Sequence, residues 1–178
     1  TADGPATVIL EQQTDEIEAT AWGSGADWAL DQVPQLLGFD DRPEEFSPSN
    51  LLLRDLHRRH LGLRIGRTNR VFEAIVPAIL GQKVTTREAH RSLLSLTRRF
   101  SGPAPGPIDA NLPVAAEVMA EIPYWQLHEL GIERKRADVL SFVAKRANRL
   151  EEICTMPKEA AYARLTAFPG VGPWTAAN

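Results

Sequence analysis

A single cysteine, Cys154, stands in the 178 residues. One thiol cannot form an internal disulfide, and it leaves no cysteine set for a zinc or iron–sulfur site within these residues. Cys154 reads as a small core residue, in keeping with a reducing cytoplasm. No apolar run approaches the ~18 residues that a membrane-spanning helix needs. The first residues carry no basic-then-apolar pattern, so nothing in them points to secretion. A phosphate-loop lysine motif and a nucleophile elbow are both missing. Of the four histidines, His57, His60, His90 and His128, the first two are spaced i,i+3. No carboxylate or cysteine cluster completes a metal site around them, and the neighbourhood is rich in arginine. Repeats and low-complexity tracts are absent. What remains is an ordinary globular composition, long enough for one domain with a real core and a small appendage.

The net charge of −3 hides an uneven distribution. Residues 1–50 hold eleven acidic side chains and one arginine, Arg42, whereas residues 54–99 hold eleven arginines and lysines against Asp55, Glu73 and Glu88. Fields are local at physiological salt, so a chain that is acidic overall can still present a basic face to a polyanion. The bland alternative is arginines on solvated helix faces.

Residues 6–22 read as two short strands around a polar turn near Gln13–Glu16. Such a hairpin is marginal alone and must pack on something or extend a sheet. After Gly23-Ser24-Gly25 the pattern turns helical over 26–37, then a Pro/acid/Ser loop covers 38–49. Helical periodicity follows over 50–60, with Leu51, Leu52 and Leu56 inward, and over 69–82, with Phe72, Ile75, Val76, Ile79 and Leu80 inward. Pro77 should kink the second of these. Thr85 and Glu88 form a capping-box pair opening a helix to Phe100. Short helices are expected over 113–122 and 124–130. A long one follows over 133–153, with Val139, Leu140, Phe142, Val143 and Leu150 inward, and another over 157–167. The expected domains are an incomplete α+β appendage over 1–48 and an all-helical domain over 49–178.

The last fourteen residues, 165–178, are the most specific part of the chain. An amphipathic segment runs into Phe168-Pro169-Gly170-Val171-Gly172, and a new helix opens at once with Pro173, which suits a first helical position. Two glycines two apart allow a tight turn and a close approach. The N–H groups of Val171 and Gly172 and of the new helix's first turn would then face outward, ahead of a positive dipole end, as an anion site. Pro-Gly-x-Gly alone is also an ordinary loop signal.

The whole string, with Trp174, Thr175 and Ala176, resembles the helix-hairpin-helix of the base-excision DNA glycosylases, most closely the alkylpurine (3-methyladenine type II) branch. Two further stretches fit in the same order. Residues 70–89 include Ile79-Leu80-Gly81-Gln82 before the capped helix, and 130–137 read Leu-Gly-Ile-x-x-Lys135-Arg136-Ala137. Together the three matches span 68–178; residues 1–48 resemble that branch's β appendage only loosely.

The resemblance implies a mainly α fold, a helix-hairpin-helix glycosylase domain with a short N-terminal β hairpin. It also implies a base turned out of duplex DNA before its N-glycosidic bond is hydrolysed. The corner at Gln82 and Lys83 faces DNA in such proteins. The residue after the glutamine fills the gap left by the extruded base; here that residue is Lys83, with Gln82 and Val84 as alternatives. The hairpin contacts fall on Phe168, Gly170, Val171, Gly172 and Thr175. Arg134, Lys135 and Arg136 either hold the DNA backbone or form a solvated first helical turn. Trp174 stands where lyase-type relatives carry a lysine nucleophile, so the implied enzyme is monofunctional. Trp174 then lines the base pocket, where its face suits electron-poor alkylated purines, or is a core aromatic. Tyr124 and Trp125 are core residues or further pocket walls.

The catalytic carboxylate that stabilises the oxocarbenium-like sugar is an aspartate expected roughly twenty residues beyond the hairpin, past Asn178. Asp109 and Asp138 have no motif behind them. The carbonyls of Thr166, Phe168 and Val171 would coordinate a sodium or potassium ion. Otherwise no cofactor is expected. The expected partner is double-stranded DNA, met by a monomer in the cytoplasm (the bacterial nucleoid), with no membrane. The alternatives are a non-catalytic helix-hairpin-helix DNA-binding module and, less well supported, a helical protein–protein adaptor.

Overall fold

The computed structural model describes residues 1 and 3–177. It is mainly helical, and the chain divides into two compact units, Thr1–Thr68 and Asn69–Asn178. The division falls later than the expected 48/49 because residues 61–68 turn back onto the loop before them. Ile65 N–H donates to the Asp41 carboxylate at 2.9 Å, Arg67 N–H to the Gln35 carbonyl at 3.0 Å, and the Arg67 guanidinium to Asp40 at 3.0 Å.

In the first unit, strands β1 (Thr7–Gln12) and β2 (Ile17–Trp22) pair antiparallel, Thr7 opposite Trp22 and Gln12 opposite Ile17. The turn closes through Gln13 N–H to the Glu16 carbonyl at 2.8 Å, where the polar run was expected to turn. The hairpin packs on helix α1 (Ala26–Asp31). The helix expected to reach residue 37 breaks at Gln32 and resumes as α2 (Val33–Leu36), because Pro34 has no N–H to continue the ladder. A 3-10 turn at Pro43–Glu45 leads to α3 (Leu51–Arg59), capped by the Asn50 side chain on the N–H groups of Leu52 and Leu53. Leu51, Leu52 and Leu56 were expected inward and stand exposed. So small a unit offers little apolar surface to receive them. Within it α3 meets Phe46, which lies edge-on to His57 at 5.5 Å.

The second unit is all-helical: α4 (Val71–Leu80), α5 (Thr86–Phe100), α6 (Ala116–Glu121), α7 (Tyr124–Glu129), α8 (Arg134–Ala144), α9 (Ala147–Glu151), a 3-10 turn at Glu152–Thr155, α10 (Lys158–Thr166) and α11 (Pro173–Ala177). Its core is centred on α4, which buries Phe72, Ile75, Val76, Ala78, Ile79 and Leu80. Leu96, Met119, Leu127, Ile132, Leu140, Val143 and Leu150 close around it. The Thr85–Glu88 capping box forms in both directions. The expected single helix over 133–153 is two, since Arg146 leaves helical geometry at φ −129° and ψ 22°. The break re-aims α9, whose Leu150 enters the core and whose Glu151 reaches the start of α4.

Both ends of α4 are held by charged side chains, Glu151 of α9 at one and Arg136 of α8 at the other. The Glu151 carboxylate accepts from the N–H groups of Val71 and Phe72 at 2.9 and 3.0 Å, and the Arg136 guanidinium donates to the Leu80 carbonyl at 2.9 Å. An anion at the N-terminal end and a cation at the C-terminal end both complement the helix dipole.

Two further core expectations fail. Cys154 is exposed, because the 3-10 turn points Ile153 inward and its neighbours outward. Trp125 is 58% exposed, while Tyr124 is half-buried beneath the Arg134 guanidinium at 4.2 Å. No described helix is long and apolar enough to cross a membrane, and no described cluster of three metal-ligating side chains exists.

Candidate nucleic-acid interface

The hairpin after α10 is built by proline and glycine chemistry. Phe168, Pro169, Gly170 and Val171 form a turn closed by the Val171 N–H donating to the Phe168 carbonyl at 2.9 Å, with Gly170 at φ +85°. Proline second and a positive-φ glycine third is the pattern of a type II turn. The Val171 N–H, expected to face outward, is therefore spent inside the turn, and the Val171 side chain is buried. Among the described residues the N–H groups of Gly170 and Gly172 have no acceptor. The two glycines differ sharply. A Cβ on Gly170 would lie 2.2 Å from Val139 Cγ2, whereas one on Gly172 meets nothing within 4 Å. Gly170 lets the hairpin seat on α8; Gly172 leaves an open approach.

Gln82 ties this hairpin to the corner after α4. Its amide nitrogen donates to the Gly170 carbonyl at 2.8 Å and to the Thr175 hydroxyl at 2.9 Å. Thr175 is buried, so it orders the interface from within rather than presenting its side chain. Lys83 follows in a left-handed backbone, φ +56°, and is exposed. A non-glycine residue held there is uncommon, and such strain concentrates at functional sites. The Trp174 ring passes over Gly81, where an added Cβ would stand 3.3 Å from the ring edge. Trp174 is 56% exposed among the described residues.

One cavity of about 680 Å³ gathers the three stretches that sequence had picked out separately. Gly81, Gln82 and Lys83 line it from the corner, Glu133, Lys135 and Arg136 from the start of α8, and residues 166–172 with Trp174 and Thr175 from the hairpin. Lys135 is exposed and makes no ion pair among the described residues. Arg136, grouped with it in the sequence, is buried. Besides Leu80, it donates to the Gly131 carbonyl at 3.1 Å. Its place in the core follows from spacing: Arg136, Leu140 and Val143 share one face at i, i+4 and i+7. That signal was readable in advance. Phe168 likewise turns inward, edge-on to Phe142 at 6.2 Å, so it contributes only backbone to the hairpin's surface.

The carbonyls of Thr166, Phe168 and Val171 are hard oxygen donors, the kind that could hold a monovalent cation. The Phe168 oxygen also accepts the turn's hydrogen bond. Basic residues elsewhere are partly matched: Arg59 pairs with Asp55, Arg67 with Asp40, Arg70 with Glu73 and Arg99 with Glu129. The expected basic face is thus thinner than the charge count suggests.

Solved structures share this fold. No protein-family model and no curated protein matches the sequence. The structural neighbours are DNA glycosylases of helix-hairpin-helix fold, and the chain shares that fold. The 3-methyladenine DNA glycosylase from Archaeoglobus fulgidus superposes with a TM-score of 0.77 at 27% identity, over 96% of this chain and 61% of that one. An 8-oxoguanine glycosylase/lyase of Clostridium acetobutylicum, solved with double-stranded DNA, superposes with a TM-score of 0.73 at 16% identity, over 95% of this chain and 60% of that one. The chain therefore spans about three fifths of the length of these neighbours.

Proposed function

We propose that this chain carries the DNA-gripping part of a monofunctional base-excision glycosylase acting on an alkylated or otherwise damaged base extruded from duplex DNA. The observation that supports this most is the single cavity where hairpin, Gln82–Lys83 corner and Trp174 meet. A DNA phosphate sits on the N–H groups of Gly170 and Gly172. Lys83 and Lys135 add charge attraction, and Phe168, Val171 and Thr175 hold the hairpin's shape from beneath. Trp174 offers its exposed face to the extruded base, where stacking and cation–π attraction favour a positively charged alkylpurine. Lys83 lays its stem in the vacated gap. A sodium or potassium ion on the hairpin carbonyls would add a positive charge beside the phosphate.

Hydrolysis breaks the bond between C1′ and the base nitrogen. The electron pair leaves with the base, and water adds to C1′. A carboxylate stabilises the cationic sugar and takes the water proton, a role assigned to the aspartate expected beyond Asn178. Trp174 cannot form an imine, so no sugar–enzyme bond arises from that position. The test uses the intact protein on duplex DNA methylated at purines. Free base should appear and abasic sites should break only on alkaline treatment. Strand cleavage without alkali would overturn the monofunctional assignment. Duplex binding with no base release would favour the non-catalytic module.

A further inference from the structure

A second concave site lies on the far side of Phe168. Phe142, Arg146, Arg149, Glu152, Arg164, Ala167 and Phe168 line a cavity of about 480 Å³. Three guanidinium groups face one carboxylate, a surplus of two positive charges by formal count. Two of the three are already ordered. The Arg146 guanidinium lies over the Phe142 ring at 3.8 Å and donates to the Phe142 carbonyl at 3.3 Å, and Arg164 is held by Glu152 at 2.8 Å. Arg149 projects from α9 and makes no ion pair among the described residues. Ordered, planar, permanently charged donors around an apolar floor suit an oxyanion, because little rotamer freedom is left to lose on binding.

We infer that Arg146, Arg149 and Arg164 form a second phosphate subsite, which takes a backbone phosphodiester of the DNA held by the hairpin. Ala167 and Phe168 line this cavity and the hairpin cavity alike, so the two sites adjoin along the chain. Glu152 neutralises Arg164 in the absence of DNA, leaving Arg146 and Arg149 as the principal donors. The inference rests on the DNA-binding reading above, but it needs neither base excision nor Trp174.

The test measures equilibrium binding of the intact protein to undamaged duplex DNA across a salt series. The double variant Arg146→Gln with Arg149→Gln should weaken binding roughly tenfold per lost charged hydrogen bond. The slope of log affinity against log salt should fall by about 1 per phosphate contact removed. Glu152→Gln should do the opposite and strengthen binding, an effect that partial unfolding cannot mimic. An unchanged affinity and slope in the arginine variant overturns the inference, as does weakening without the opposite effect of Glu152→Gln. Inorganic phosphate is the second arm. If it binds the wild-type pocket while duplex affinity ignores the arginine variant, the subsite serves a free anion and the duplex assignment is wrong. Failure of the wild-type protein to bind duplex DNA at all would instead sink the proposed function.

Discussion

The Gln82 side-chain amide donates to the Thr175 hydroxyl at 2.9 Å across 93 residues of sequence, and the same nitrogen reaches the Gly170 carbonyl. Both ends of the proposed DNA grip therefore share one hydrogen-bonding group. Gln82→Ala should leave the buried Thr175 hydroxyl without its donor, at a cost of about 1–3 kcal/mol. Denaturant unfolding would read that loss. Duplex affinity should fall as well, since the hairpin is no longer held to the corner. A Gln82→Ala protein of wild-type stability would mean that the tie contributes nothing.

Gly170 and Gly172 should separate stability from binding. Alanine at Gly170 meets both a left-handed backbone and Val139 Cγ2, together worth about 2–5 kcal/mol of destabilisation. Valine at Gly172 points into open space and should change stability by no more than about 0.5 kcal/mol. It should still weaken binding to every duplex sequence alike, because it obstructs a phosphate rather than a base. Sequence-dependent weakening would argue against a phosphate clamp.

Under the proposed function, Trp174→Ala should cut base release by the intact protein far more than it cuts DNA binding. Loss of one stacking platform is worth about 1–3 kcal/mol, or roughly 5- to 150-fold in rate. Single-turnover excision set beside equilibrium binding distinguishes the two. Equal losses in both would make the ring a general surface contact.

The start of α5 should be acid-sensitive. Glu88 is held below its ordinary value of 4.5, first by the hydrogen bond from the Thr85 backbone N–H and then by the one from its hydroxyl. A lowered folded value means that the contribution is complete above about pH 4.5 and disappears as pH falls through the lowered value. Thermal midpoints of wild type and Glu88→Gln should differ near neutrality and converge in acid. A gap independent of pH would show that the carboxylate charge plays no part.

Local chemistry made much of this molecule legible. The Thr85–Glu88 box, the Gln13–Glu16 turn, the apolar face of α4 and the Pro-Gly hairpin each depend on residues within a few positions of one another. Readings failed for more than one reason. Val171 N–H turned inward because Gly170 completes a tight turn. Arg136 left the surface, as its spacing from Leu140 and Val143 already indicated. Leu51, Leu52 and Leu56 stayed outward although their spacing is that of a core-facing helix. The three stretches of the candidate interface could each be recognised, but nothing local in 79–82 announces that Gln82 will meet Gly170. The arginine pocket was invisible for the same reason, since its members come from α9, α10 and the break between α8 and α9.

Helix α8 carries Arg136, which fixes the end of α4, and Val139, against which Gly170 is seated. The two halves of the grip are thus gauged from one rigid rod, with their reference points three residues apart. A disturbance that displaces α8 as a whole carries corner and hairpin together and preserves their spacing. A change within that single helical turn alters the spacing directly, even though both side chains are buried. Variation that tunes the proposed grip on a duplex therefore has a place to act beneath the surface.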